Sequence, residues 1–156
     1  MILKPEKYSG LNGIRTHNLG DTLFSVFAEL WTNNFNSPLL KKKKTYVSKC
    51  ILSDPYVKVS MIMGGKTLKK RKTVINKKTA FPVYNEAFVF TILPTCLDRV
   101  SFMLSVYTVP RLGGSKKLIG RAVVGPYMYS TGQGLAHWND MIASPRSAVA
   151  QWHTLI

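Results

Sequence analysis

Acidic residues are what this chain has least of. Its 156 residues include 7 Asp+Glu against 22 Lys+Arg, a formal net charge of +15. So few carboxylates, scattered along the chain, argue against paired-carboxylate catalysis. Cysteine is nearly absent as well. Cys50 and Cys96 stand alone, with no Cys-x-x-Cys pair, which excludes a disulfide scaffold and reads as two reduced thiols. His17, His137 and His153 show no zinc-ligand spacing among themselves or with the cysteines. No run of 18 apolar residues is present to form a spanning helix, and residues 1–8 lack the apolar centre of a signal peptide. Thr131-Gly132-Gln133-Gly134 is too short for a phosphate loop. With no nucleophile beside a base, the sequence reads as a binding protein and not an enzyme.

What the chain does have is a core. The hydrophobic fraction of 46% and the charged fraction of 19% fit one globular domain. Residues 1–50 are punctuated by turn residues, among them Asn12, Gly13, Asn18, Gly20, Asn33, Asn34 and Pro38. One apolar segment, 23–31, reads as a strand or short helix. From residue 51 the pattern sharpens. Val57, Val59 and Met61 share one side of 56–63, the period of a half-buried strand. Gly64-Gly65 signals a turn into a basic strand-like stretch, 66–76. Residues 87–92, 101–107 and 118–124 read as further strands, 134–142 as one helix and 151–155 as a closing strand. The stretches 94–99 and 110–117 read as connections. Short strands at regular spacing predict an all-β sandwich or barrel.

Positive charge is clustered. The block Lys41-Lys42-Lys43-Lys44 reads as a solvated loop. Lys66, Lys69, Lys70, Arg71, Lys72, Lys77 and Lys78 follow within one short stretch. In a strand, Lys70 and Lys72 share a face with Leu68 and Val74, while Lys69 and Arg71 share the other. Such a stripe seeks nucleic acid, acidic lipid headgroups or an acidic protein surface. No aromatic side chain interleaves with residues 69–72 to stack bases, and no recognition-helix pattern is present. That argues against a specific nucleic-acid reader. Lysines also guard edge strands, but 14 Lys+Arg against 4 Asp+Glu over residues 51–156 exceed that need.

Five segments in order carry a family resemblance. They are Ser53-Asp54-Pro55-Tyr56-Val57-Lys58-Val59; the polybasic run from Gly65 to Lys72; Pro82-Val83-Tyr84-Asn85-Glu86-Ala87-Phe88; His137-Trp138-Asn139-Asp140-Met141; and Pro145-Arg146 with Trp152-His153-Thr154-Leu155. Together they resemble the second, C-terminal C2 domain of the synaptotagmin family. The resemblance implies an all-β fold over residues 51–156, a C2-type antiparallel β-sandwich with one extra helix before the last strand. It stops near residue 50. Gly20-Asp21-Thr22-Leu23-Phe24-Ser25 resembles the start of a first strand near 20–31. The rest of 1–50 reads as a divergent or aberrant leader, which predicts a sandwich lacking or altering its first one or two strands.

The resemblance also implies a function. Calcium-binding family members place about five aspartates in two loops. Here Asp54 matches one position, while Ser48, Thr108, Pro110 and Lys116 or Lys117 fall at or near the others. The expectation is a degenerate calcium site, no cofactor, and Asp54 as a turn or capping carboxylate. The basic strand (Lys66, Lys69, Lys70, Arg71, Lys72, with Lys77 and Lys78) is expected to bind acidic phospholipids and phosphoinositides without calcium. SNARE proteins, the clathrin adaptor and other C2 domains are the further partners implied, in vesicle trafficking and exocytosis at the cytosolic face of a vesicle or plasma membrane. Val109, Pro110 and Leu112 are expected at an apolar loop tip, with Lys116 and Lys117 meeting phosphates beside it. Arg146 matches one of two neighbouring family arginines, Ser147 standing at the second. Arg146, Trp152 and His153 are docking candidates, against the alternative of a core-packed Trp and an edge His. A protein scaffold with little lipid affinity and nucleic-acid binding through the basic patch are the alternative functions.

Overall fold

A strand whose alternate side chains are apolar must bury one face and expose the other. The chain solves that problem with two packed sheets. A computed structural model describes residues 12–18, 23–29, 53–79, 82–110 and 113–156. These form β1 (Asn12–Asn18), β2 (Leu23–Glu29), β3 (Ser53–Met63), β4 (Lys66–Lys72) and β5 (Glu86–Thr91). A single 3-10 turn at Pro94–Cys96 follows. Then come β6 (Val100–Pro110), β7 (Lys117–Val124), α1 (Gln133–Ala143) and β8 (Ala148–His153). One sheet has the order β5-β2-β1-β8 and the other β4-β3-β6-β7. Every pairing is antiparallel.

The core lies between the sheets. β3 contributes Val57, Val59 and Met61, β6 contributes Phe102, Leu104 and Val106, and β7 contributes Ala122 and Val124. Phe90 of β5 and Trp138 of α1 close on Phe102, at ring-centroid distances of 5.0 and 6.3 Å. The helix can sit this close to β7 because residue 134 is glycine. A Cβ there would overlap the Val123 carbonyl and the Ser130 hydroxyl. Gly64 and Gly65, at φ 55° and 76°, supply the left-handed pair that a two-residue hairpin between β3 and β4 requires.

The first fifty residues differ from their expected role. They supply two strands of the first sheet, so the sandwich does not lack its opening strands. β2 falls inside the expected 20–31. β1 lies in the interior of the sheet, with Arg15 opposite both Phe27 of β2 and Ala150 of β8. Its run Asn-Gly-Ile-Arg-Thr-His-Asn begins and ends on turn-forming residues and has one strongly apolar member. Ladder bonds on both sides, which local composition does not reveal, override that weak propensity. The lysine block 41–44 lies outside the described residues, as does Cys50. The closing strand is also displaced. β8 ends at His153, and the tail then crosses to the other sheet, where Ile156 and Arg121 exchange both backbone hydrogen bonds (2.8 and 3.0 Å).

Truncating Phe102 at the meeting point of both sheets and the helix leaves a cavity with little room to collapse. Phe102→Ala should cost about 3–5 kcal/mol, read as a lowered urea midpoint with unchanged slope. A loss under about 1 kcal/mol would contradict this packing.

Candidate functional site

The pleat that turns Val57, Val59 and Met61 inward turns Tyr56, Lys58 and Ser60 outward. On the same outer face, β6 presents Met103, Ser105 and Tyr107, and β7 presents Arg121 and Val123. The registers align these residues. Lys72 lies opposite Lys58, Lys58 opposite Ser105, and Ser105 opposite Arg121. One row across all four strands thus carries three cations, and at ordinary strand spacing it spans about 14 Å. The neighbouring row is Lys70, Ser60, Met103 and Val123.

Two aromatic rings stand beside these rows. Tyr56 and Tyr107 stack with centroids 5.4 Å apart and planes at 16°. The Lys58 and Lys116 ammonium groups lie 5.3 and 6.0 Å from the Tyr107 centroid, near enough for the ring's quadrupole to hold both. The Ser60 hydroxyl is buried on this face with no hydrogen-bond partner among the described residues. Asp54, on the same strand, is already engaged. Its carboxylate accepts a hydrogen bond from the Lys78 backbone N–H at 3.1 Å.

The structure separates the expected basic stripe. Lys70 and Lys72 belong to the outer face. Lys69 and Arg71 pair with Met61 and Val59, so they project toward the core side at the sheet edge. There the Lys69 ammonium lies 6.0 Å from the Phe90 ring centroid. Lys66 is exposed at the start of β4, and Lys77 and Lys78 are exposed in the turn beyond it, Lys78 in the left-handed region at φ 59°. Lys58, Tyr56, Tyr107 and Arg121 were not anticipated. The available signal was parity, since Lys58 shares its face with Tyr56 two residues earlier.

Two other expectations need correction. Val109 and Pro110 are not at a loop tip. They are half-buried in β6, opposite Asp54 and Ser53. Leu112 lies outside the described residues, while Lys116 and Lys117 are exposed. Trp152 is half-buried rather than core-packed, and His153, on the edge strand β8, is buried at 2% exposure. Arg146 is exposed in the turn between α1 and β8, at φ 63°.

His153 forms a buried pair with His137. The His137 Nδ1 and His153 Nε2 atoms are 2.8 Å apart, and the rings stack at 5.1 Å. The His137 Nε2 lies 3.3 Å from the Val149 carbonyl. With His137 Nε2–H donating to that carbonyl, Nδ1 accepts from His153 Nε2–H. The pair clamps α1 to β8. Burial pushes His137 below its usual range, against the Val149 carbonyl and Asp140, which pull it up. Burial, and then neighbouring His137, push His153 down to about 4.

Among the described residues, no group of three or more His, Cys, Asp or Glu is placed to hold a metal. No helix among them is long and apolar enough to cross a membrane.

Two antiparallel sheets with a helix before the last strand define a known class. The sequence profile of the C2 domain matches residues 35–141, and the chain belongs to that family of binding modules. Within it, the chain is a C2 domain of the synaptotagmin type. Over 104 residues it is 50% identical to Synaptotagmin-1 of Caenorhabditis elegans and 47% identical to Synaptotagmin-6 of Mus musculus. Each match covers 67% of this chain but only 23% and 20% of those proteins, so the chain spans about a fifth of their length. Among solved structures, a C2 domain of RIM from Drosophila superposes with a TM-score of 0.61 at 17% identity, covering 94% of this chain and 99% of that one. The third C2 domain of the KIAA1228 protein gives 0.59 at 21% identity, covering 99% and 94%. These likenesses show the fold.

The histidine pair makes stability depend on pH. Above pH 6.5, the ordinary value for both rings, folded and unfolded chains alike hold them neutral. Below it the unfolded chain takes up protons that the folded chain refuses, so stability falls until His153 itself protonates in the fold near pH 4. The urea midpoint should drop between about pH 7 and pH 5, and His153→Phe should flatten the drop. A midpoint unchanged over that interval would contradict the buried pair.

Proposed function

We propose that this domain binds acidic, phosphoinositide-containing membranes without calcium, through the outer face of its second sheet. The observation that carries this reading is the in-register row of Lys72, Lys58 and Arg121, flanked by Lys70 and by Lys116 above Tyr107. Near an acidic leaflet each such cation contributes about 1 kcal/mol, so five together give useful, salt-sensitive affinity. Because the row is fixed on a hydrogen-bonded ladder, the backbone positions of its cations are set before a headgroup arrives, so only side-chain freedom is lost on meeting clustered phosphates.

Calcium independence is supported by the oxygen donors present. Calcium takes six to eight oxygens, several of them carboxylate. No acidic residue occurs at 30–53 or at 99–139. Between those stretches lie three carboxylates, each engaged: Asp54 by the Lys78 amide, Glu86 by the Val74 amide and Asp98 by the Arg99 side chain. That donor set does not fit the ion. SNARE proteins, a clathrin adaptor or another C2 domain would meet the same cations through acidic surfaces of their own, and would compete with lipid. Attachment of this kind is peripheral, at a cytosolic membrane face where vesicles are handled.

Co-sedimentation with vesicles of phosphatidylcholine, phosphatidylserine and phosphatidylinositol bisphosphate tests the reading. Lys58→Ala/Lys70→Ala/Lys72→Ala should weaken binding about tenfold or more, and Arg121→Ala about fivefold. Lys69→Ala should leave binding within about twofold, because that ammonium group sits over Phe90. Binding should be equal with calcium and with chelator. Binding only with calcium, or full binding by the triple variant, would sink the proposal.

A further inference from the structure

The connection from β7 to α1 contrasts with the rest of the molecule. Residues 122–139 contain no Lys, Arg, Asp or Glu, in a chain of net charge +15. At its apex stand Tyr127 and Met128, 77% and 75% exposed, with Tyr129 beside them at 36%. Large apolar side chains held that far into water are costly unless something covers them.

The apex is a built turn. The Tyr129 and Ser130 amides donate to the Pro126 carbonyl at 2.9 and 3.1 Å, and the Ser130 hydroxyl donates to the Val123 carbonyl at 3.0 Å. Tyr127 and Met128 are its two central residues, so their side chains project from a backbone whose polar groups are partly satisfied already. That is a requirement for entering an apolar medium. Behind the turn lies an open cleft of about 540 Å³, lined by Tyr127, Met128, Tyr129, Val123 and Gly134.

Position matters as much as composition. Val124 pairs near the start of β6, opposite Phe102, while Lys117 pairs near its end, opposite Thr108. The turn therefore sits at the Gly64-Gly65 end of the second sheet, about 33 Å along an eleven-residue strand from the end where β6 passes to β7. A bilayer places an anionic surface and an uncharged layer side by side. A strongly basic protein with a charge-free aromatic tip matches both. Tyrosine and methionine suit the boundary, one offering a ring with a polar end and the other a flexible apolar chain.

We propose that the 126–129 turn is a second membrane contact, with Tyr127 and Met128 entering the headgroup–acyl boundary of a bilayer at the end of the domain away from the β6–β7 connection. It shares with the proposed function only the identity of the partner and does not need the basic face.

The test places an indole at the tip by Y127W in the full chain, with the unsubstituted chain as baseline. The protein is bound to acidic vesicles, and separately tethered by an N-terminal histidine tag to phosphatidylcholine vesicles carrying a nickel-chelating lipid. Both vesicle types contain lipid brominated near the headgroup end of the acyl chain. Extra quenching of the added indole in both settings is expected. On acidic vesicles, Tyr127→Ser/Met128→Ser should weaken binding about fivefold, with the melting temperature unchanged. No extra quenching in either setting overturns the proposal. So does a dimer in sedimentation equilibrium that the double serine variant abolishes, which would assign the tip to a second copy of the chain. If the untethered chain ignores acidic vesicles while the tethered indole is quenched, the basic-face reading falls and the tip remains.

Discussion

β3 and β6 pair residue for residue from Ser53 opposite Pro110 to Met63 opposite Val100, with no bulge along the ladder. The pleat therefore keeps one phase over its whole length, and the two sides of the sheet never mix. Val57, Val59, Phe102, Leu104 and Val106 all fall on the core side, while Lys58, Ser105 and Tyr107 all fall on the opposite face. A slip of one residue would bring Lys58 into the core and set Val59 beside Lys72. Desolvating an unpaired ammonium group costs far more than any local gain. The same register that builds the core thus places the cations, and the candidate site needs no separate scaffold.

The second sheet is asymmetric by consequence, and the first sheet pairs its strands differently. β1, drawn from the weakest part of the sequence, lies between β2 and β8 and closes the sheet that carries Phe90 and Val149. The helix bridges the two halves: Gly134 brings it against β7, and the histidine pair fixes it to β8. Ile156 then crosses back to Arg121. Arg121 therefore occupies a strand held on one side by β6 and met on the other by the tail, which steadies the outermost cation of the row.

Much of this was legible in the residues. Alternation revealed β3 and β6 because burial on one face leaves a period of two, and Gly64-Gly65 revealed the hairpin because few other residues accept its backbone. β1 was not legible, since a strand with partners on both sides can take its order from them and not from its own composition. The basic strand was visible as a cluster, and alternation divides Lys70 and Lys72 from Lys69 and Arg71 as the pairing does, but the places of Lys58 and Arg121 beside it depend on cross-strand register, which one strand does not encode. Val109 and Pro110 looked like loop residues because proline ends many strands, but pairing with Asp54 and Ser53 extends β6 through them. The histidine pair joins residues on different elements and leaves no local pattern.

Asp54 illustrates how a small change in partner alters the timing of a surface. Its carboxylate accepts a hydrogen bond from an amide of the same chain, 24 residues onward. That bond forms as the chain folds and needs no diffusible partner to hold the turn. On the reading proposed above, the cationic face is constitutively assembled, and its occupancy follows whatever lipid kinases and phosphatases write on the opposing membrane. Control passes from the protein to the composition of the surface it meets.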